Sequence, residues 1–303
     1  MVTSHEHGLA PAESAAGSRR RARLLCASVV LATVTALASG PVHAEPQKAA
    51  AMVDPNTPNG VRPVGGSPHA TLVFSDEFYG AALDTSKWTA KDEERSDGSY
   101  FRDWWKPANV RVNPNPQQIN GGNLWINLSQ LATDQYATGE IESRGKFDHT
   151  YGTVEWRAQM PPTEDHFGAL WLQPTNGIST VDGTARDGGE YDVVESYYQG
   201  DRYANTIHYD GYGADHKVST ATINAPNLHT GYHTYAMEWT PTSIKYRYDG
   251  GVIRTITDPN LISQVPQFPV ISHEAGAWVD GAIANAPMGW RSNMYVDYIR
   301  IWQ

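Results

Sequence analysis

From Thr71 onward, apolar and polar positions alternate in short runs. Leu124-Trp125-Ile126-Asn127-Leu128 is a compact apolar segment, and Gly152 to Met160 alternates with Val154, Trp156, Ala158 and Met160 on one side. Ser243 to Tyr248 repeats that period of two. Asp249-Gly250-Gly251 then separates it from Val252-Ile253, which predicts a hairpin. Met294 to Trp302 is a long closing strand of the same kind. A period of two places alternate side chains on opposite faces of a pleated strand. The helical period is nearly absent. Many short strands with Gly and Pro turns predict an all-β sandwich, jelly roll or barrel. Residues 45–68 are rich in Pro, Gly, Asn and Ala and lack periodicity, so they read as a flexible leader. One domain follows, residues 69–303, of a size that needs no second core.

The first 44 residues read as a secretory signal peptide. Arg19, Arg20, Arg21 and Arg23 precede an apolar run from Leu24 to Ala38, and Val42-His43-Ala44 has small residues at both positions a signal peptidase reads. The run is short for a membrane span. The single cysteine, Cys26, lies within it, so the exported chain has no disulfide. Removing the signal leaves 19 basic against 31 acidic residues, a net charge of −12. That balance argues against nucleic acid and anionic membrane as partners. All 10 Trp and all 16 Tyr lie after residue 78. Aromatic rings stack on the apolar faces of sugars, although a sandwich core also consumes them.

Chemistry concentrates in Gly188-Gly189-Glu190-Tyr191-Asp192-Val193-Val194-Glu195-Ser196. In a regular strand Glu190 and Asp192 share a face and Glu195 takes the other. A β-bulge at Val193-Val194 would absorb one residue and return Glu195 to the first face. The Glu190 and Glu195 backbones would then stand roughly 13 Å apart. Side chains leaning inward on a concave sheet could bring the carboxyls to about 5 Å, the separation of retaining glycosidases. Crowded carboxylates cannot all ionise freely, so at least one pKa rises, as a general acid requires. Taken alone, the three carboxylates also suit an exposed acidic edge or a calcium site.

The domain resembles glycoside hydrolase family 16 along nearly its whole length. The resemblance is carried, in order, by Phe74-Ser75-Asp76-Glu77-Phe78 with Leu83 to Trp88, Gly121 to Ile126, Ala137 to Phe147 with Tyr151 to Ala158, Ala169 to Leu172, Gly231 to Thr240 and Met294 to Trp302. It implies a β-jelly roll of two stacked, curved antiparallel sheets with a substrate cleft on the concave face. Glu190 takes the nucleophile position, Glu195 the general acid/base position, and Asp192 the position that orients and tunes the nucleophile. The E-x-D-x-x-E spacing is that of the bulged branch of the family, which holds β-1,3-glucanases, agarases and carrageenases.

The resemblance further implies substrate contacts at Trp171, His208, Trp278 and Trp105. It implies no cofactor for catalysis and a structural calcium on the convex face, at Asp297, Gly122 and Glu77. Hard oxygen ligands suit that ion. The implied activity is that of a secreted, extracellular, monomeric retaining endo-β-glycanase acting on a polysaccharide, foremost a β-1,3- or mixed β-1,3/1,4-glucan. The competing readings are a β-galactanase of agarase or carrageenase type and a non-catalytic carbohydrate-binding jelly roll. Two segments depart from the β-1,3-glucanase pattern: Glu140-Ile141-Glu142, and Asp182 to Asp187 before the catalytic strand. Trp105 to Val110 is similar to galactan-cleaving relatives, so the sugar stays open.

Overall fold

The computed structural model describes residues 52–95, 102–113, 122–276 and 278–303. The expected signal peptide lies outside the described residues. In chain order the strands are β1 (Leu72–Asp76), β2 (Thr89–Ala90), β3 (Glu93–Glu94), β4 (Arg102–Trp105), β5 (Val110–Val112), β6 (Leu124–Ala132), β7 (Gln135–Glu142), β8 (Gly152–Gln159) and β9 (His166–Pro174). After these come β10 (Glu190–Glu195), β11 (Arg202–Tyr209), β12 (Lys217–Asn224), β13 (His233–Thr240), β14 (Ser243–Tyr248), β15 (Gly251–Ile256), β16 (Gln267–Ala275) and β17 (Gly289–Trp302). Among the described residues there is no α-helix, only three single 3₁₀ turns, and no helix is long and apolar enough to cross a membrane.

The strands form two stacked antiparallel sheets, as the alternation predicts. One runs β15-β14-β13-β8-β17, with β1 and β6 both on the far side of β17 and β5 beyond β6. The other runs β12-β11-β10-β9-β16-β7-β2. β7 is shared: its first half joins β6, and its second half belongs to the β16 sheet. β4 runs parallel to the first half of β7, pairing Trp105 with Thr138, the one parallel pair among the described strands. The core between the sheets alternates as expected. Val154, Trp156, Met237, Trp239, Ile299 and Ile301 come from one sheet and Ile141, Leu170, Leu172, Tyr191, Val193 and Ile207 from the other, all essentially inaccessible. Three tryptophans, Trp88, Trp156 and Trp239, are consumed by this core, and Trp302 is buried outside it.

The expected leader is a correction. From Met52 the chain lies against β1 rather than free of the domain. The Ser75 amide donates to Met52 O at 3.1 Å. Asp54, nearly buried, accepts from the Glu77 amide at 2.9 Å and from the Asn56 amide at 2.8 Å. Gly65 passes so close to the Arg247 guanidinium that a Cβ there would come within 2.2 Å. This strap is held by a backbone bond and by the Asp54 carboxylate instead of by alternating burial, so it carries no periodicity.

Candidate active site

Gly188, at φ 151°, leads into β10, and a Cβ there would stand 2.6 Å from Gly177 O, so no side chain fits. Along β10, Tyr191 faces the core, its hydroxyl donating to Leu261 O at 3.0 Å. Glu190 and Asp192 face the opposite way. The register with β11 runs Glu190–His208, Tyr191–Ile207, Asp192–Thr206 and then jumps to Glu195–Ala204. On the other flank Asp192 pairs with Trp171 and Val194 with Leu170. One extra residue is thus accommodated at Val193-Val194, and both valines are buried in the core. The bulge is the one the carboxylate parity required. It is clamped by Asn205, fully buried on β11, whose amide donates to Asp192 O at 2.9 Å and Val193 O at 3.2 Å. Arg254 in turn donates to Asn205 Oδ1 at 2.9 Å.

Glu190, Asp192 and Glu195 line one open cavity of about 710 Å³, together with Trp171, His208, Trp278 and Trp105. Cross-strand rows explain the convergence. Gln173, Glu190, His208 and Val218 lie side by side on β9 to β12, and Trp171, Asp192, Thr206 and Thr220 form the next row. The Trp171 indole nitrogen donates to Ser272 Oγ at 3.1 Å, which fixes the ring. Trp278, half exposed, packs edge-on to Phe167 and Tyr197 with centroids at 5.2 and 5.6 Å. At the other bank the Arg95 guanidinium lies 4.9 Å from the Trp105 ring and pairs with Glu274.

Electrostatics separate the three carboxyls. Burial raises all three. Glu195 is pushed well up, first by burial and then by the Asp192 charge, with His208 opposing. Asp192 is pushed well up by burial and by Glu190. Glu190 is raised less. Burial is its largest influence, and His208, Tyr212, Gln173 and Arg95 all favour its charged form. Gln173 Nε2 donates to Glu190 Oε2 at 3.3 Å, and the Tyr212 hydroxyl donates to the same oxygen. His208 Nε2 stands 3.3 Å from Asp192 Oδ2, and its Nδ1 is 2.8 Å from Nε2 of His216, stacked on it.

Several of these residues escaped the sequence reading. Gln173 shares the parity of Trp171 on one strand and was findable. Asn205 alternates correctly but looks like any polar residue. Tyr212 and His216 sit in a Gly-containing hairpin loop without periodicity, and Arg95 follows a two-residue strand.

The residues implied for calcium do not assemble a cation cradle from their side chains. Gly122 does lie against the Glu77–Phe78 backbone. The Glu77 carboxylate, however, takes two bonds from Arg300, at 2.9 and 2.8 Å, and one from Thr57. Asp297 accepts from Arg157 at 2.5 Å. Carboxylates already neutralised by guanidinium fit a dication poorly. Among the described residues, the group of three side chains that could hold a metal is Glu190, Asp192 and His208, with ligand atoms within 4.8 Å of one another.

Comparison with known proteins agrees with this architecture. The chain is 28% identical over 257 residues to "Beta-glucanase" of Rhodothermus marinus, covering 78% of this chain and 86% of the relative. It is 26% identical over 264 residues to "Glucan endo-1,3-beta-glucosidase A1" of Niallia circulans, covering 77% of this chain but only 38% of that longer protein. The crystal structure of the laminarinase from Rhodothermus marinus superposes with a TM-score of 0.64 at 24% identity, over 78% of this chain and 98% of that one. The sequence model described as "Glycosyl hydrolases family 16" matches residues 105–300, a span that contains β10, its bulge and all but Arg95 of the cavity wall. On that match the chain belongs to glycosyl hydrolase family 16.

Proposed function

We propose that the chain is an exported, retaining endo-β-glycanase that hydrolyses a β-1,3- or mixed β-1,3/1,4-glucan by double displacement. The observation that carries this reading is the bulge at Val193-Val194, which returns Glu195 to the cavity face beside Glu190. Glu190 has the donors and cations that keep a carboxylate ionised, so it serves as nucleophile. Glu195, raised well above an ordinary carboxyl, keeps its proton and serves as acid. Glu190 attacks the anomeric carbon while Glu195 gives its proton to the departing glycosidic oxygen. Glu195, now a carboxylate, takes a proton from water, which attacks the same carbon and releases Glu190. Asp192, charged with reluctance beside Glu190, holds the nucleophile's orientation with His208 behind it. Trp105, Trp171 and Trp278 offer stacking faces for sugar rings along the cleft.

The test uses Glu190→Ala and Glu195→Ala on laminarin, lichenan, agarose and carrageenan. Each substitution should abolish release of reducing ends while the protein stays folded, and proton NMR of the first wild-type product should show the β anomer. Near-wild activity in either variant, or an initial α product, would falsify the roles. Cleavage confined to the galactans would replace the glucan by a galactan and leave the mechanism intact.

A further inference from the structure

The loop between β11 and β12 contributes to the cleft in a way the catalytic strand does not announce. Its root is pinned. Asp210, nearly buried and at φ 59°, accepts from the Gly183 amide at 3.1 Å and from the Lys217 ammonium. Gly211, at φ 78°, donates its amide to Ile178 O at 2.5 Å. These two left-handed residues turn the chain back over the cavity. Tyr212 follows directly. The residue is 62% exposed, yet its hydroxyl reaches inward to Glu190 Oε2. An exposed tyrosine whose one polar atom is spent on a buried carboxylate is a specific arrangement. The ring is flanked by His208 and His216, with centroids at 6.5 and 5.9 Å.

We propose that Tyr212 is a further catalytic residue, whose hydroxyl stabilises Glu190 as a carboxylate both at rest and as it leaves the glycosyl–enzyme. This rests on the assignment of Glu190 as nucleophile. In the resting enzyme Oε2 carries part of a full negative charge in a buried site, where a donated hydrogen bond is worth most. Once Glu190 has bonded to the anomeric carbon, Oε2 is the carbonyl oxygen of a neutral ester and the bond from Tyr212 weakens. When water attacks the anomeric carbon, the carbon–Glu190 bond breaks, the electron pair returns to the carboxylate and the bond strengthens again. The hydroxyl therefore favours the second displacement more than the first. The groups facing Glu190 are Gln173 from β9, Asp192 from its own strand, His208 from β11, Arg95 from the bank after β3, and Tyr212 from the loop, with Glu195 at the far end of β10. Replacing Tyr212 leaves Gln173 as the remaining neutral donor to Oε2.

The test is Tyr212→Phe, which keeps the ring and removes the hydroxyl. With an aryl β-glycoside of a short β-glucan oligosaccharide, kcat should fall about tenfold and KM should fall with it. A pre-steady-state burst of aryl alcohol should appear, because glycosyl–enzyme accumulates. The acid limb of kcat/KM should move to higher pH by about half a unit or more. A second readout needs no turnover. In protein carrying ¹³C-labelled glutamate carboxyls, with the Glu190 signal assigned through Glu190→Gln, the titration of Glu190 should also move upward in Tyr212→Phe. An unmoved Glu190 titration, or a variant with no burst from an active wild type, overturns the proposal. If wild-type protein cleaved no β-glycan, the assignment of function would fail by itself and the titration alone would decide Tyr212.

Discussion

Asn205→Ala puts the bulge itself to the test. The Asn205 side chain is fully buried and makes three bonds: two donated to Asp192 O and Val193 O, and one accepted from Arg254. A neutral buried hydrogen bond contributes about 1 kcal/mol net, and orphaned partners cost at least as much. Arg254 keeps its bond to Asn205 O at 2.6 Å and two to Ser219, so its loss is the smallest of the three. The sum is about 3 kcal/mol, which for a domain of this size lowers the melting temperature by about 6–12 °C. The effect on catalysis should be larger than the effect on folding. The two carbonyls are those flanking the extra residue, so their release lets β10 relax toward regular pairing and turns Glu195 away from the cavity. A loss of kcat of at least a hundredfold is expected at a temperature where the variant is fully folded, because a displaced general acid forfeits most of its contribution. Asn205→Asp separates the causes. It is isosteric and keeps an acceptor for Arg254, but it turns an oxygen toward two carbonyls and should lose activity like the alanine variant. Thermal unfolding and kcat on a soluble glucan, measured side by side, check both. If both variants kept kcat within twofold of wild type, the clamp would have no part in aiming Glu195.

Three further outcomes follow from packing and burial. Glu140 lies buried on β7, and burial, helped by the Glu142 charge, raises its carboxyl to about 8. The unfolded chain ionises this group near 4.5, so between about 4.5 and 8 the folded state holds a proton that the unfolded state has released, and stability falls as pH rises through that window at up to about 1.4 kcal/mol per unit. Glu140→Gln should therefore raise the melting temperature at pH 8 and leave it nearly unchanged at pH 4; equal shifts at both would contradict the burial argument. Gly276→Ala would bring a Cβ to 2.6 Å from the Trp278 indole nitrogen, so it and Trp278→Ala should each raise KM several-fold with kcat little changed; a normal KM for Gly276→Ala would mean that Trp278 shifts without cost. In wild type, kcat/KM should decline toward high pH as Glu195 loses its proton, and Glu195→Gln should remove that limb from whatever residual activity remains.

The catalytic strand was legible because parity suggested a bulge and the family resemblance chose catalysis over an acidic edge or a calcium site. Glu190 and Asp192 share a face, Glu195 does not, and two consecutive valines gave the extra residue somewhere apolar to go. The two sheets were legible because apolar residues such as Val154, Trp156 and Ala158 on β8 alternate with polar ones. What escaped is held by other means. Residues 52–57 pack through Asp54 and Thr57, whose bonds to backbone and hydroxyls leave no period to read. The parallel pairing of β4 with β7 joins residues about thirty positions apart and depends on β7 serving two partners in succession. Tyr212 reaches Glu190 only because two left-handed residues turn the loop, a tertiary event invisible to alternation. The acidic residues Glu77 and Asp297 looked available in the sequence, and their arginine partners lie 223 and 140 positions away.

The parallel strand β4 also gives the cleft banks of unequal stiffness. Trp105 stands on a ladder continuous with β7, and Thr138 beneath it is wholly inaccessible. Tyr212 stands opposite on a loop, and the residue is mostly exposed. Amide exchange should therefore open the Tyr212 bank at a small fraction of the free energy needed to open the Trp105 bank. The two walls of the groove should therefore differ in stiffness, with any local opening confined to the Tyr212 side beyond its pinned root.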